Sequence, residues 1–445
     1  MEKRYKKLGH TGEIAISFIL IIMIGTILLS LPIATRDGSV NFFTSLFTAT
    51  SSTCVTGLVV VDTCTHWSAF GQLVILSMIQ IGGLGFLTIG VYVSVLLRKH
   101  IGLARREALH ESVNTIQTAG VVRLAKKIIQ GTIIFESLGA LLLSIRFVPE
   151  YGWGKGIYYG VFHSISAFCN AGFDLFGIKT PFNSFADYVG DPLVTITIMC
   201  LIVIGGIGFI VWEDVSTKGF RFHKYLLHSK IVLAATAVLI FGSALLFWIF
   251  EHGYTLDGLN ASEQILSSFF SSITARTAGF NTVDTASLSN SSKLLTMILM
   301  FIGGASGSTA GGIKITTFVV VIVSGVSMMR NRQAAEIFGR RLPSESIRKA
   351  TTIILINLSL ILISAFIIFS IQTFPFENVL FEVFSAIGTV GMSTGITRDL
   401  NVVSKVIIIL LMYCGRVGSL SFAIAFTRRN KVTRVTSPKE KIVVG

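Results

Sequence analysis

The same unit occurs four times along this chain, and that repetition restricts its fold more than any other feature. Each unit has an apolar span, a shorter half-hydrophobic segment ending in a glycine-centred loop, and a second apolar span, with a period of about 110 residues. The spans lie near 14–31 and 71–97, 128–147 and 192–212, 231–250 and 292–323, and 351–371 and 402–425. Four repeats are therefore expected at 1–110, 111–225, 226–340 and 341–427, with a tail at 428–445. As helices, these spans are long enough to cross about 30 Å of hydrocarbon. Composition agrees, since 52% of the 445 residues are hydrophobic, 13% are charged and the mean hydropathy is +0.74. No small-residue cleavage site follows the first apolar run, so it reads as a mature span and not as a signal peptide.

The net charge of +14 does not imply nucleic acid, because the basic residues cluster between apolar spans and form no continuous soluble face. The clusters are Lys3/Arg4/Lys6/Lys7, Arg98/Lys99/Arg105/Arg106 with Arg123/Lys126/Lys127, Lys218/Arg221/Lys224/Lys230, Arg330/Arg332/Arg340/Arg341/Arg348/Lys349, and Arg428/Arg429/Lys431/Arg434. By the positive-inside rule all of them face the cytoplasm, as do both termini. Successive clusters can share one side only if each middle segment enters and leaves from the other. Those segments have apolar parts of about a dozen residues (42–52, 157–168, 266–274 and 379–387), too short to span and suited to half-helices. The expected fold is an all-α integral membrane protein with eight spanning helices and four re-entrant pore half-helices around a central pore.

The loops after the half-helices align without gaps: Thr53-Cys54-Val55-Thr56-Gly57-Leu58, Phe168-Cys169-Asn170-Ala171-Gly172-Phe173, Ala275-Arg276-Thr277-Ala278-Gly279-Phe280 and Ile387-Gly388-Thr389-Val390-Gly391-Met392. Irregular backbone at membrane depth must have its peptide groups paired, buried in protein, or turned toward water or ions. Four such loops converging on an axis can offer carbonyl oxygens in place of the hydration shell of a monovalent cation. Glycine permits the dihedrals this needs. Each half-helix also points its negative C-terminal end toward mid-membrane, which favours a cation there. No carboxylate sits at the loop centres, where a divalent ion would call for one.

On these loops the chain resembles the Ktr/Trk/HKT superfamily of potassium transporters over essentially its whole length, and within it the membrane subunits of bacterial Ktr uptake systems. That resemblance implies potassium uptake through the loops as a selectivity filter, a homodimer, and a cytosolic ring of nucleotide-binding RCK domains as partner. It implies no cofactor in this chain itself, with potassium as the transported ion and nucleotide on the partner. In that family glycine at the filter position of all four loops goes with potassium preference, and serine in the first loop with sodium permeation. Gly57 thus implies potassium, and sodium stimulation stays compatible with the resemblance. One departure is Arg276, expected to turn its side chain away from the pore and pair with an acid or carbonyls.

The second spans carry a further aligned feature, Ile81-Gly82-Gly83-Leu84-Gly85, Ile204-Gly205-Gly206-Ile207-Gly208, Ile302-Gly303-Gly304-Ala305-Ser306-Gly307 and Tyr413-Cys414-Gly415-Arg416-Val417-Gly418. In the first two, tight helix packing explains the small residues. The third continues through Ser308, Thr309, Ala310, Gly311 and Gly312 to Lys314, a small polar run that suits no lipid-facing helix. It is expected to be a broken helix forming an intramembrane gating loop at 303–314. Arg416, at about the same offset from its filter glycine as Gly304, is expected to oppose cations in the cavity and pair with that loop. Glu136, inside the third span, has two open readings: a protonated, hydrogen-bonded group in a helix interface, which is preferred, or a ligand for a coupling ion.

An enzyme is not expected. The eight histidines form no H-E-x-x-H pair, and neither a G-x-S-x-G nor a Walker sequence occurs. The five cysteines lack metal-ligand spacing. Parallel repeats of one topology also count against a conventional symporter built from inverted halves, which stays the alternative together with a less selective sodium/potassium channel.

Overall fold

The computed structural model describes residues 10–85, 88 and 121–419. The basic clusters at 3–7, 98–106 and 428–434, and the inner end of the span expected at 71–97, lie outside the described residues. In chain order the principal helices are α1 (His10–Leu29), α2 (Phe42–Thr53), α3 (Ala69–Leu84), α4 (Val121–Tyr151), α5 (Trp153–Phe168), α6 (Pro192–Gly206), α7 (Phe209–Lys218), α8 (Leu227–Glu251), α9 (Ala261–Thr274), α10 (Asn290–Phe301), α11 (Ile315–Met329), α12 (Ser344–Ile371), α13 (Phe376–Gly388) and α14 (Val402–Val417). A two-stranded hairpin pairs Glu336–Ile337 with Arg340–Arg341.

The first helix of each repeat is one continuous apolar rod: among the described residues α1, α4, α8 and α12 are the four long enough to cross a membrane unaided. Each is mostly unburied and exposes large apolar side chains, such as Leu20 and Ile24 on α1 or Leu362 and Phe366 on α12. A helix apolar on its outer face is stable where lipid covers that face. The half-helices α2, α5, α9 and α13 lie inside this ring. Their entries are fixed by local chemistry. The Asn41 side chain accepts from the Phe43 and Thr44 amides at 3.0 and 3.3 Å, and Asn260 with Glu263 forms a reciprocal capping box on α9.

The repeats close on one another in sequence order. Helix α3 packs on α5, α6 on α9, α10 on α13, and α14 returns to α2, so every second helix supports the next repeat's half-helix.

The second spans correct the expectation that only the third is interrupted. Helix α3 stops at Leu84 before Gly85 (φ 81°), α6 turns 95° into α7 through Gly208 (φ 92°), and α14 stops at Val417 before Gly418 (φ 95°). In the third repeat the break widens to residues 302–314 between α10 and α11. The last glycine of each motif takes a left-handed conformation that a helix cannot continue through.

The earlier glycines of the motif seat the pore loops and do more than pack helices together. A Cβ at Gly82, Gly205 or Gly415 would stand 2.0, 2.0 or 2.2 Å from the carbonyl oxygen of Thr53, Phe168 or Ile387. Only a residue without a side chain lets the end of a half-helix come that close.

Candidate ion pathway

The four loop glycines meet in a closed ring. A Cβ built on Gly57 would lie 2.5 Å from the Ala171 oxygen, one on Gly172 2.7 Å from that of Ala278, one on Gly279 2.3 Å from that of Val390, and one on Gly391 2.3 Å from that of Thr56. Each glycine faces the carbonyl preceding the next repeat's glycine, and the fourth faces the first. All four have positive φ, at 91, 70, 85 and 96°.

Two residues earlier in each loop a non-glycine residue also takes positive φ: Val55 (57°), Asn170 (60°), Thr277 (77°) and Thr389 (51°). The residues between, Thr56, Ala171, Ala278 and Val390, do not. Backbone that alternates in hand turns successive carbonyls toward one side, where an extended strand would alternate them. For β-branched Val55, Thr277 and Thr389 that conformation is strained, and it persists because the surroundings hold it. The carbonyls of Val55, Thr56, Asn170, Ala171, Thr277, Ala278, Thr389 and Val390 belong to buried residues and accept no hydrogen bond among the described residues. Buried peptide oxygens are normally paired, so a ring of unpaired ones can serve as a ligand set for a cation.

Hydroxyl groups at the half-helix ends hold the loops in this shape. Ser51 and Ser385 each accept the amide of their own filter glycine, Gly57 and Gly391, at 3.1 Å. Ser166 accepts the Phe173 amide at 3.0 Å and Thr274 donates to the Phe280 carbonyl at 2.6 Å. The sequence reading missed these four residues. A Ser or Thr recurring five or six residues before each glycine was the signal available. Thr274 stands one residue closer to its glycine, because the Ala278 amide reaches back four residues, to Thr274, where Thr56, Ala171 and Val390 reach back five. The gap-free alignment therefore fails at the start of the third loop.

Arg276 lies within that shortened turn. Its side chain is buried, and Nη2 donates to the Thr236 hydroxyl of α8 at 3.4 Å. The guanidinium thus points outward into the third repeat, with a hydroxyl where an acid or carbonyl was expected. Filter residues Thr53, Cys54, Cys169 and Gly388 line the start of the loops. Cys54 and Cys169 are fully buried, and Gly388 lies against the Met300 carbonyl of α10.

Two chambers flank the ring. An outer one of about 170 Å³ is bounded by Gly57, Gly172, Gly279 and Gly391 together with Asp174 and Asp284. An inner one of about 360 Å³ is bounded by Gly82, Ser306, Gly307, Ser308, Ala310, Gly312, Lys314 and Arg416. Between filter and inner chamber lies the 302–314 segment. Its ends are joined where the Gly303 amide donates to Ile313 O at 2.8 Å and the Ile315 amide to Gly304 O at 3.0 Å. Its body is pinned to the second repeat by Ala305 N on Gly206 O (2.9 Å), Thr309 N on Gly205 O (3.2 Å) and Thr309 Oγ1 on Phe168 O (3.1 Å). On the opposite side Gly311 and Gly312 lie against Thr389 and Gly388 of the fourth filter loop. The segment thus stretches beneath the filter from one repeat to another.

Two cations hold it there. Lys314 donates to the carbonyls of Ala310 and Gly311, at 2.6 and 3.4 Å. Arg416 donates to Thr309 O, and through Nη2 to Gly82 O and Gly83 O at 2.6 and 3.0 Å. Among the described residues neither has a carboxylate partner, so both positive charges stand on carbonyls at the pore's inner half. Arg416 meets the loop expected to form the gate through a backbone carbonyl, that of Thr309, and meets no acidic side chain there.

Comparison with known proteins gives the family of the chain. The chain is 40% identical to the potassium/sodium uptake protein NtpJ of Enterococcus hirae over 100% of its own length and 99% of the relative's. It is 41% identical to the Ktr system potassium uptake protein B of Bacillus subtilis, covering 97% of this chain and 96% of that one. The solved potassium transporter TrkH of Vibrio parahaemolyticus shares its fold, with a TM-score of 0.73 over 93% of this chain and 85% of the other at 15% identity. The family described as TrkH: Cation transport protein matches residues 10–433. This chain therefore belongs to the TrkH family of cation transport proteins, as a multi-pass membrane transporter and not an enzyme.

Proposed function

We propose that the protein takes up potassium across the cell membrane through the four-loop filter, with the 302–314 segment as its gate. The observation that carries this reading is the ring of eight unpaired buried carbonyls closed by four positive-φ glycines. Carbonyl dipoles without a carboxylate suit a weakly hydrated monovalent ion, and a glycine in every loop is what potassium preference calls for in the family this chain resembles. Relatives named for potassium uptake point the same way.

The membrane potential supplies the driving force, at about 2.3 kcal/mol per charge per 100 mV, enough for a roughly fiftyfold inward gradient. The partner is a cytosolic ring of nucleotide-binding RCK domains on a homodimer of this chain, and nucleotide control resides in that ring. Both termini face the cytoplasm, following the positive-inside distribution of the basic clusters. The sodium in the name of the Enterococcus hirae relative favours one second reading, a less selective pathway or one coupled to sodium.

Flux from reconstituted liposomes separates the two. Potassium should exceed sodium for the unaltered chain, and Gly57→Ser should weaken that preference. Equal permeability at the start removes the potassium reading.

A further inference from the structure

A buried carboxyl outside the pathway touches the filter from behind. Glu136 on α4 is 9% exposed and faces Gln80 of α3 and Cys169 at the end of α5. Gln80 Nε2 donates to Glu136 Oε2 at 3.2 Å. The Cys169 thiol sits 3.5 Å from Gln80 Oε1 and 4.0 Å from Glu136 Oε1, within reach of either as donor. The amide thus donates to the carboxyl, and the one thiol hydrogen lies between the amide oxygen and the other carboxyl oxygen. No Lys or Arg pairs with Glu136 among the described residues. With so few oxygens, and each facing a donor, it forms no cage for a coupling ion.

What the cluster touches gives it a role. Cys169 belongs to the second filter loop, directly before Asn170 and Ala171, whose carbonyls face the pathway. A Cβ on Gly83 would stand 2.7 Å from Cys169 Sγ, and the Gly83 carbonyl accepts Arg416 Nη2. One side of the cluster therefore fixes where the second loop begins, and the other is the wall on which the gate's arginine is anchored. The remaining three loops have no cysteine–glutamine–carboxyl counterpart: the first has Cys54 fully buried, the third has Arg276 on Thr236, and the fourth has Gly388 with no side chain. Among the described residues the second loop is thus the one that begins at a side chain within reach of both another repeat's amide and a buried carboxyl, and its Asn170 in turn bonds Thr277 of the third loop at 3.3 Å.

We propose that Glu136 is a positioning residue of the selectivity filter, acting through Gln80 and Cys169 to hold the second loop in the register that discriminates potassium from sodium. The inference rests on the filter reading given above and adds to it a residue that never meets the ion.

The test measures potassium and sodium flux in liposomes holding the full chain, unaltered or as Glu136→Gln, Glu136→Leu, Gln80→Leu, and the double Leu variant. Glu136→Gln keeps an acceptor for Gln80 and should hold the potassium/sodium ratio within about twofold, whereas Glu136→Leu and Gln80→Leu should each lower it about tenfold. The double variant should fall no further than either alone, because both substitutions break one network. If Glu136→Leu fails to assemble, Gln80→Leu alone carries the same expectation. A ratio unchanged in Gln80→Leu, or lowered as much by Glu136→Gln as by Glu136→Leu, overturns the positioning role. Absence of potassium preference in the unaltered chain would overturn the filter reading instead.

Discussion

The outer and inner halves of this pore are built on opposite principles. At the filter the four repeats contribute equivalent parts: a half-helix, a hydroxyl at its end, a left-handed residue, and a glycine facing the next repeat's carbonyl. Below it equivalence ends, and one repeat supplies the segment across the path while another supplies the arginine that holds it. A cation on the axis needs ligands all round, which only similar loops provide. The other repeats keep a plain helix break at the same place, and under the proposed gate a single obstacle is all that blocking a path requires.

The largest expected effect breaks the symmetric half. Gly279→Ala would place a Cβ 2.3 Å from the Val390 oxygen, at a backbone with φ 85°. A clash of about 1–3 kcal/mol there should lower potassium flux by about 5- to 150-fold. Alanine at Gly57, Gly172 or Gly391 should do the same in a flux assay. A position that tolerates alanine freely would show that the ring is not fourfold in function.

The asymmetric half should respond with the opposite sign. Removing three or four residues between Ala305 and Gly311 should raise potassium flux on the order of tenfold, as a barrier lowered by about 1.4 kcal/mol. Unchanged flux in a correctly folded variant dismisses the gate. A smaller rise, roughly threefold, is expected for Arg416→Gln, which removes a positive charge from the path and loosens Thr309 while leaving the segment in place. Dose–response curves for potassium uptake would separate a rate change from an affinity change, and loss of flux would contradict the assigned role.

Much of the four-loop ring was legible in the sequence because its backbone requirement is local. A glycine that must take positive φ has few substitutes, so it recurs visibly in all four loops, as do the short apolar segments before them. Val55, Asn170, Thr277 and Thr389 gave no such signal. Their left-handed conformation is imposed by the packed surroundings, and no side-chain preference shared by Val, Asn and Thr betrays it. The hydroxyl staples were readable in hindsight, through an offset obscured by the shortened third turn. Helix breaks in the second spans were hidden for another reason: in the first two repeats the Gly-Gly-x-Gly run satisfies a packing explanation, and only the fold shows its first glycine seating Thr53 or Phe168, as Gly415 seats Ile387 in the fourth. The partner of Arg276, forty residues away at Thr236, had no sequence signature.

The central claim is that backbone oxygens hold the ion, and thallium, a scattering substitute for potassium, tests it directly. Anomalous diffraction from crystals soaked in thallium should give a peak on the axis among the carbonyls of Val55, Thr56, Asn170, Ala171, Thr277, Ala278, Thr389 and Val390. A peak held by carboxylate side chains away from that ring would contradict the account.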